Sequence, residues 1–218
     1  MAEAVKLHPD LVILIVAPLD VEAIENPDPA PAIVPASAPA EHGDLQKRLF
    51  ETVKESRAFV VAQHFMFRNP ALYVPLYLQY GDKADFLRSP FTVPWQTRLQ
   101  WLDVLVGKLQ AEASGAGVPF MIAFIPQEAQ VALMAGRYQS GAVQPEALPN
   151  PIGAIARKHG ALFKDTSVAL RAEPKPEQLF YQVDGHLSGE GQPIAAAYLA
   201  KDIPGALGSR FASCHRPA

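Results

Sequence analysis

The fold is decided by the stretch DLVILIVA, residues 10–17, which is aliphatic or β-branched at almost every position. A run that is apolar on both faces is typical of a central strand in a parallel sheet, because helices cover both faces of such a sheet. A second run of this kind lies at residues 118–125, and a shorter one at residues 161–163. We therefore expect three parallel strands.

Helical patterns lie between and after these strands. Residues 94–114 carry a proline in the first turn and leucine and valine at helical spacing, which predicts a long helix. Shorter helices are predicted over residues 126–136, 151–158 and 165–171, and a last helix, with Ser188 as its N-cap, ends at Lys201. The alternation of strand and helix predicts an α/β domain with a parallel sheet over residues 1–218.

Two segments interrupt this alternation. Residues 18–43 alternate proline with alanine and other small residues, which predicts an extended loop. Residues 44–93 are predicted to be a helical, aromatic-rich insertion, with an amphipathic helix at 44–57 and apolar helices that break near Asn69-Pro70. The aromatic side chains of this insertion are either core residues or the wall of an acyl-binding site.

Composition excludes several classes of function. The net charge is −3 and the 19 Lys and Arg residues are scattered, so we expect no nucleic-acid partner. The apolar stretch at residues 11–19 is too short to cross a bilayer and lacks the flanks of a signal peptide, so we expect neither a membrane span nor an export signal; the compartment is left open. The histidines show no metal-binding spacing, and no phosphate or dinucleotide loop is present, so we expect no metal and no cofactor.

The candidate site is the triplet Asp184-Gly185-His186, on a turn before the last helix. A histidine can shuttle a proton near neutral pH, and a nearby carboxylate can hold its tautomer, as in the second half of a serine-hydrolase triad. Gly185 permits an unusual backbone angle that would turn both side chains into one site. In open parallel sheets, such sites lie outside the carboxyl ends of the strands. The alternative is a chance triplet in which the aspartate forms a turn and the histidine is exposed.

The wider context resembles a known family. The stretch LFYQVDGHLSGEGQPIAAAYLA, residues 179–200, resembles the last conserved block of the SGNH (GDSL-type) hydrolases. HPDLVILIVAPLDV, residues 8–21, is similar to the third block, and GVPFMIAFIPQEAQV, residues 117–131, to the strand and proline turn between the two. The resemblance implies a flavodoxin-like α/β/α domain that cleaves or transfers acyl esters of carbohydrate or lipid. It also implies that His186 is the general base and Asp184 its orienting partner.

Three departures from the family pattern qualify this expectation. The Gly-Asp-Ser turn with the nucleophile should precede the strand at residues 10–17, yet only seven residues lie before His8. We therefore expect the sheet to be incomplete on its N-terminal side and the serine to lie outside this chain, because none of its own serines lies on a nucleophile elbow. The glycine of the oxyanion hole would also lie upstream. Leu19 stands where the oxyanion-hole asparagine would be, and leucine donates no hydrogen bond.

Two functions and one structural consequence follow. The chain is expected to be an ester hydrolase or O-acyltransferase domain, or else a catalytically inactive pseudo-enzyme that binds an acylated ligand or a protein partner. The strand at residues 10–17 would keep one side open, and open apolar edges invite pairing with another chain. We expect that side to pair with a segment such as residues 32–34, or to mediate self-association.

Overall fold

The computed structural model describes residues 2–27, 61, 65, 69–79, 81–136, 143–181 and 185–208. Three strands, β1 (Val12–Val16), β2 (Phe120–Phe124) and β3 (Leu162–Asp165), form one sheet in the order β1-β2-β3. Both pairings are parallel, with Val12 opposite Phe120 and Met121 opposite Leu162. The predicted α/β class and parallel sheet are confirmed.

Helices precede, separate and follow these strands along the chain. The long helix predicted at residues 94–114 is confirmed. Within the described residues, the α-helices are α1 (Ala2–Val5), α2 (Pro18–Ala23), α3 (Pro70–Tyr77), α4 (Val93–Gly115), α5 (Glu128–Met134), α6 (Pro149–Lys158), α7 (Ser167–Leu170), α8 (Gly191–Ala200) and α9 (Ile203–Leu207). The 3₁₀ helices η1 (Gly81–Leu87) and η2 (Pro176–Leu179) precede α4 and α8.

The loop predicted over residues 18–43 is wrong at its start, because Pro18–Ala23 is helical. Proline at the first helical position has a backbone angle already suited to a helix. The Asp20 carboxylate also accepts a hydrogen bond from the backbone N–H of Ala17 at 2.7 Å, which stabilises the first turn. Residues 28–43, the segment 32–34 among them, and the helix predicted over 44–57 lie outside the described residues.

In the aromatic-rich insertion, the break predicted near Asn69-Pro70 is the start of α3. The Asn69 side chain accepts a hydrogen bond from the backbone N–H of Ala71 at 3.1 Å and so caps the helix. Tyr77, Phe86 and Trp95 are buried and form a continuous row of rings, with centroid distances of 6.3 Å and 5.6 Å. This aromatic row joins α3, η1 and α4 in the core, so Tyr77 is a core residue.

The two outer strands differ from β2 in their exposure. Every residue of β2 is buried, whereas Ile15 in β1 is 59% exposed. Among the described residues, β1 pairs with β2 alone, so the other side of β1 carries no strand from that part of the chain. The centre of the hydrophobic core therefore lies around β2, and β1 is an outer strand of the sheet that the described residues form.

One carboxylate joins α4 to the end of α6. The oxygens of Asp103 lie 2.5 Å from the Lys158 ammonium nitrogen and 2.6 Å from His159 Nε2. The hydrogen bond from Lys158, together with the one from His159, outweighs partial burial and lowers the pKa of Asp103. A carboxyl group whose pKa is lower in the folded state stabilises the fold at pH values above the pKa that it has in the unfolded chain. This contribution to stability is lost as the pH falls through the pKa of the folded state.

We expect Asp103→Asn to lower the free energy of unfolding at pH 7 by roughly 1 kcal/mol, because it removes the charge that holds Lys158 and His159. Urea unfolding at pH 7 and pH 3 measures this, and the difference from the parent protein should shrink at pH 3. Glu112→Gln, an exposed position on the same helix, is the matched control. An equal loss at both pH values would contradict the electrostatic explanation.

Candidate functional site

A cavity of about 470 Å³ opens at the carboxyl ends of β1 and β2. Its walls come from the end of β1 with α2, from the residues between β2 and α5, and from the turn before α8. The lining residues are Ile15, Ala17, Leu19, Asp20, Ile125, Pro126, Gln127, Gly185, His186, Leu187 and Gln192. The cavity therefore lies in the crevice where open parallel sheets bind ligands.

His186 is held at this cavity by a short hairpin-like turn. Phe180 and Leu187 form an antiparallel bridge, and the N–H of Tyr181 donates to the carbonyl of His186 at 2.7 Å. The N–H of Gly185 donates back to the carbonyl of Tyr181 at 2.9 Å. Gly185 has a φ of +72°, a left-handed conformation that favours glycine. These hydrogen bonds thus hold the backbone on both sides of His186, whose imidazole is exposed at the cavity.

The helix after this turn is anchored against η2. The Ser188 side-chain oxygen accepts hydrogen bonds from the N–H groups of Glu190 at 3.2 Å and Gly191 at 3.4 Å in the turn that leads into α8. The N-cap residue of α8 is Glu190, two residues after the predicted Ser188. A Cβ atom on Gly191 would lie 2.3 Å from the carbonyl oxygen of Leu179. Only glycine fits that approach without displacing the backbone, so α8 begins in close contact with the end of η2.

Asp184, the predicted partner of His186, lies outside the described residues. The pairing of its carboxylate with the imidazole stays a prediction. Leu19 does line the cavity and is 41% exposed, so the position that resembles the oxyanion-hole asparagine presents an apolar surface. None of the described lining residues carries a hydroxyl or thiol group, so that part of the wall supplies no serine-type or cysteine-type nucleophile.

Gln127 lines the cavity but is not one of the candidate site residues predicted from the sequence. It lies directly before α5 and three residues after the last residue of β2, and it is 7% exposed. The Tyr77 hydroxyl donates a hydrogen bond to Gln127 Oε1 at 3.2 Å, which connects the aromatic row to the cavity. Burial, followed by the charge of Glu22, raises the pKa of Tyr77, so its hydroxyl keeps its proton. The position of Gln127 at the end of a buried strand was the available signal.

Two carboxyl groups near the carboxyl ends of the strands are also perturbed. Glu128 is 2% exposed, and its Oε2 has no hydrogen-bond partner among the described residues. Burial, with the charge of Glu177 as the smaller cause, raises the pKa of Glu128 from 4.5 to about 8. Burial also raises the pKa of Asp165 at the end of β3, although hydrogen bonds from Ser167 oppose this. Neither group lines the cavity; Glu128 is buried and Asp165 is partly buried.

The raised pKa of Glu128 makes stability depend on pH. The unfolded chain releases this proton above about pH 4.5 and the folded chain holds it to about pH 8, so the free energy of unfolding falls as the pH rises between these values. Glu128→Gln removes this dependence on pH. Between pH 5 and pH 7, we expect the free energy of unfolding of the variant to rise relative to that of the parent protein by on the order of 2 kcal/mol. Denaturant unfolding at several pH values in this range measures the difference, and Glu25→Gln, at an exposed position, is the control. If the variant and the parent protein showed the same dependence on pH, burial of Glu128 would be contradicted as the cause.

Two further properties concern the described residues alone. They contain no cluster of three or more His, Cys, Asp or Glu side chains placed to hold a metal ion. No helix among them combines the length and the apolar character needed to cross a bilayer.

Comparison with known proteins adds no relative. No family model matches the chain, and neither a curated protein nor a solved structure matches it.

Proposed function

We propose that this chain is the C-terminal part of an SGNH-type ester hydrolase or O-acyltransferase that acts on acyl esters of carbohydrate or lipid. The observation that carries the proposal is the position of His186 on the wall of a cavity at the carboxyl ends of β1 and β2. A general base is useful only where it can reach the proton of a bound reactant, and this cavity is where a reactant would bind. The mainly apolar walls around His186 suit the acyl portion of an ester.

In the proposed reaction, His186 accepts a proton from the attacking hydroxyl and later returns it to the leaving group. Asp184 holds the imidazole in the correct tautomer and stabilises the imidazolium. The serine that attacks the ester belongs to a segment outside these 218 residues.

In this proposal the domain is flavodoxin-like, with helices on both faces of a larger parallel sheet. The side of β1 that carries no described strand is where the additional strands pair; without them, the same edge supports self-association.

A second function is favoured by a specific observation at the same cavity. Leu19 presents an apolar surface and no described lining residue carries a hydroxyl or thiol. Both facts fit a pseudo-enzyme that binds an acylated ligand or a protein partner without cleaving it. The two proposals share the cavity and its ligand class and differ in the presence of a nucleophile.

Labelling with a fluorophosphonate probe separates them. The 218-residue chain is compared with a longer product of the same reading frame that includes about a hundred additional upstream codons. The hydrolase proposal expects a labelled serine in the longer protein only. A reading frame without a Gly-Asp-Ser turn, or a longer protein that is not labelled, would leave the pseudo-enzyme. Labelling of the 218-residue chain itself would show that the nucleophile lies within these residues. It would overturn the proposal that the serine belongs to a segment outside them.

A further inference from the structure

We infer that Gln127 binds the carbonyl oxygen of an acyl ligand in the cavity through its side-chain N–H. This inference rests on the proposed function for the class of ligand, a neutral ester, and it adds a specific donor to a site where Leu19 offers none. It is carried by the hydrogen bonds of the Gln127 amide and by its position on the cavity wall.

The oxygen of the Gln127 amide is held by a buried hydroxyl group. This oxygen accepts the hydrogen bond from the buried Tyr77 hydroxyl, and Tyr77 is itself packed against Tyr73 and Phe86, with ring centroids at 5.7 Å and 6.3 Å. A glutamine amide is planar and carries its two N–H donors on the nitrogen, on the other side of the amide carbon from the oxygen. Because the oxygen is used by Tyr77, the nitrogen is the end that is left to face a ligand.

The amide nitrogen of Gln127 has no hydrogen-bond partner among the described residues, and it is not among the buried polar atoms that lack one. It therefore keeps access to the cavity that Gln127 lines. An amide with its oxygen fixed and its nitrogen accessible is suited to donate to a carbonyl oxygen.

Two other polar side chains of the cavity have their hydrogen bonds directed to the backbone. Asp20 accepts from the N–H of Ala17 at 2.7 Å, and Gln192 donates from Nε2 to the carbonyl of Leu187 at 3.1 Å. The carboxylate of Asp20 accepts hydrogen bonds and would disfavour an anionic ligand, so a neutral ester fits better than a carboxylate. The apolar side chains of Leu19 and Ile125 line the same cavity and can contact the hydrocarbon part of the ester.

The test uses the 218-residue chain, ethyl acetate as the probe and diethyl ether as its carbonyl-free counterpart. The side-chain amide signals of Gln127 are followed by nitrogen–proton NMR and assigned by their loss in Gln127→Met. We expect them to shift saturably with ethyl acetate and not with ether. Gln127→Met should weaken ethyl acetate binding by roughly threefold to tenfold, the range for one neutral hydrogen bond, and leave ether binding unchanged.

Two variants complete the design. Tyr77→Phe keeps the ring and removes the hydroxyl that orients the amide, so it should reduce the preference for the ester over the ether even if Gln127→Met does not fold. Gln110→Met, a glutamine on α4 that does not line the cavity, should leave that preference unchanged.

Amide signals that do not respond to ethyl acetate, or an unchanged preference in both Gln127→Met and Tyr77→Phe, would overturn the inference. If His186 signals still responded, acyl binding and the proposed function would survive without Gln127. A labelled serine in the longer protein with no ester binding by the Gln127 amide would likewise reject the inference alone.

Discussion

Under the hydrolase proposal, His186→Ala is expected to lower kcat/KM for p-nitrophenyl acetate by on the order of 10⁴-fold in a longer protein that carries the proposed nucleophile segment. Removing the general base of a triad leaves the serine hydroxyl without a proton acceptor, and losses of this size are typical of triad members. Because the imidazole acts in the transition state, the change should appear in kcat with KM nearly unchanged. Steady-state hydrolysis and the rate of fluorophosphonate labelling measure the effect.

His8→Asn is the matched control for this substitution. His8 is an exposed histidine before the amino end of β1, at the opposite end of the sheet from the cavity, and it has a φ of +51°. Asparagine tolerates that left-handed conformation better than most residues, so the control should fold and keep its activity. A His186→Ala protein that retained more than about a tenth of the parent kcat would contradict the assigned role, since a general base contributes far more than that.

Trp95→Ala is expected to lower the free energy of unfolding by about 3–5 kcal/mol. Trp95 is fully buried, its ring centroid lies 5.6 Å from that of Phe86, and the guanidinium carbon of Arg98 lies 5.3 Å from the ring centroid. Truncation removes buried apolar area and leaves a cavity that the surrounding helices fill only in part. Such a loss is a large fraction of the stability of a typical domain, roughly 5–15 kcal/mol.

Urea unfolding measures the effect of Trp95→Ala, with Val93→Ala on the same helix as the control. Val93 is 73% exposed, so its truncation should change the stability by less than about 0.5 kcal/mol. Trp95→Phe, which retains a ring, should lose less than Trp95→Ala. A loss below about 1 kcal/mol in Trp95→Ala would show that the aromatic row does not support the core, because a fully buried indole contributes more.

The sequence predicted the sheet well because its signals are local. The apolar runs at residues 10–17 and 118–125 are typical of strands, and β1 and β2 lie within them, although only β2 is buried throughout. Pro94 likewise predicted the start of α4 to within one residue. The helix α2 was missed because the prolines that follow it suggested a loop throughout, whereas Pro18 and Asp20 together begin a helix.

The candidate site was only partly predictable for a different physical reason. The His186 turn has its own signature, a glycine between two polar residues, and the structure places it at the cavity. Gln127 has no such signature, because an amide acquires its role from the distant Tyr77 that orients it. The buried Glu128 is equally hidden in the sequence, since its perturbation comes from the packing of η2 against α5.

The cavity walls come from three segments that are widely separated in sequence, ending near Asp20, Gln127 and Gln192. They meet only in the native state, so a molecule bound there has no site on the unfolded chain. By mass action, such a ligand at ten times its Kd adds about 1.4 kcal/mol to the free energy of unfolding and raises the melting temperature of a domain of this size by roughly 3–6 °C. A thermal-shift screen of acylated sugars and lipids would therefore identify the natural ligand even for a chain that catalyses nothing.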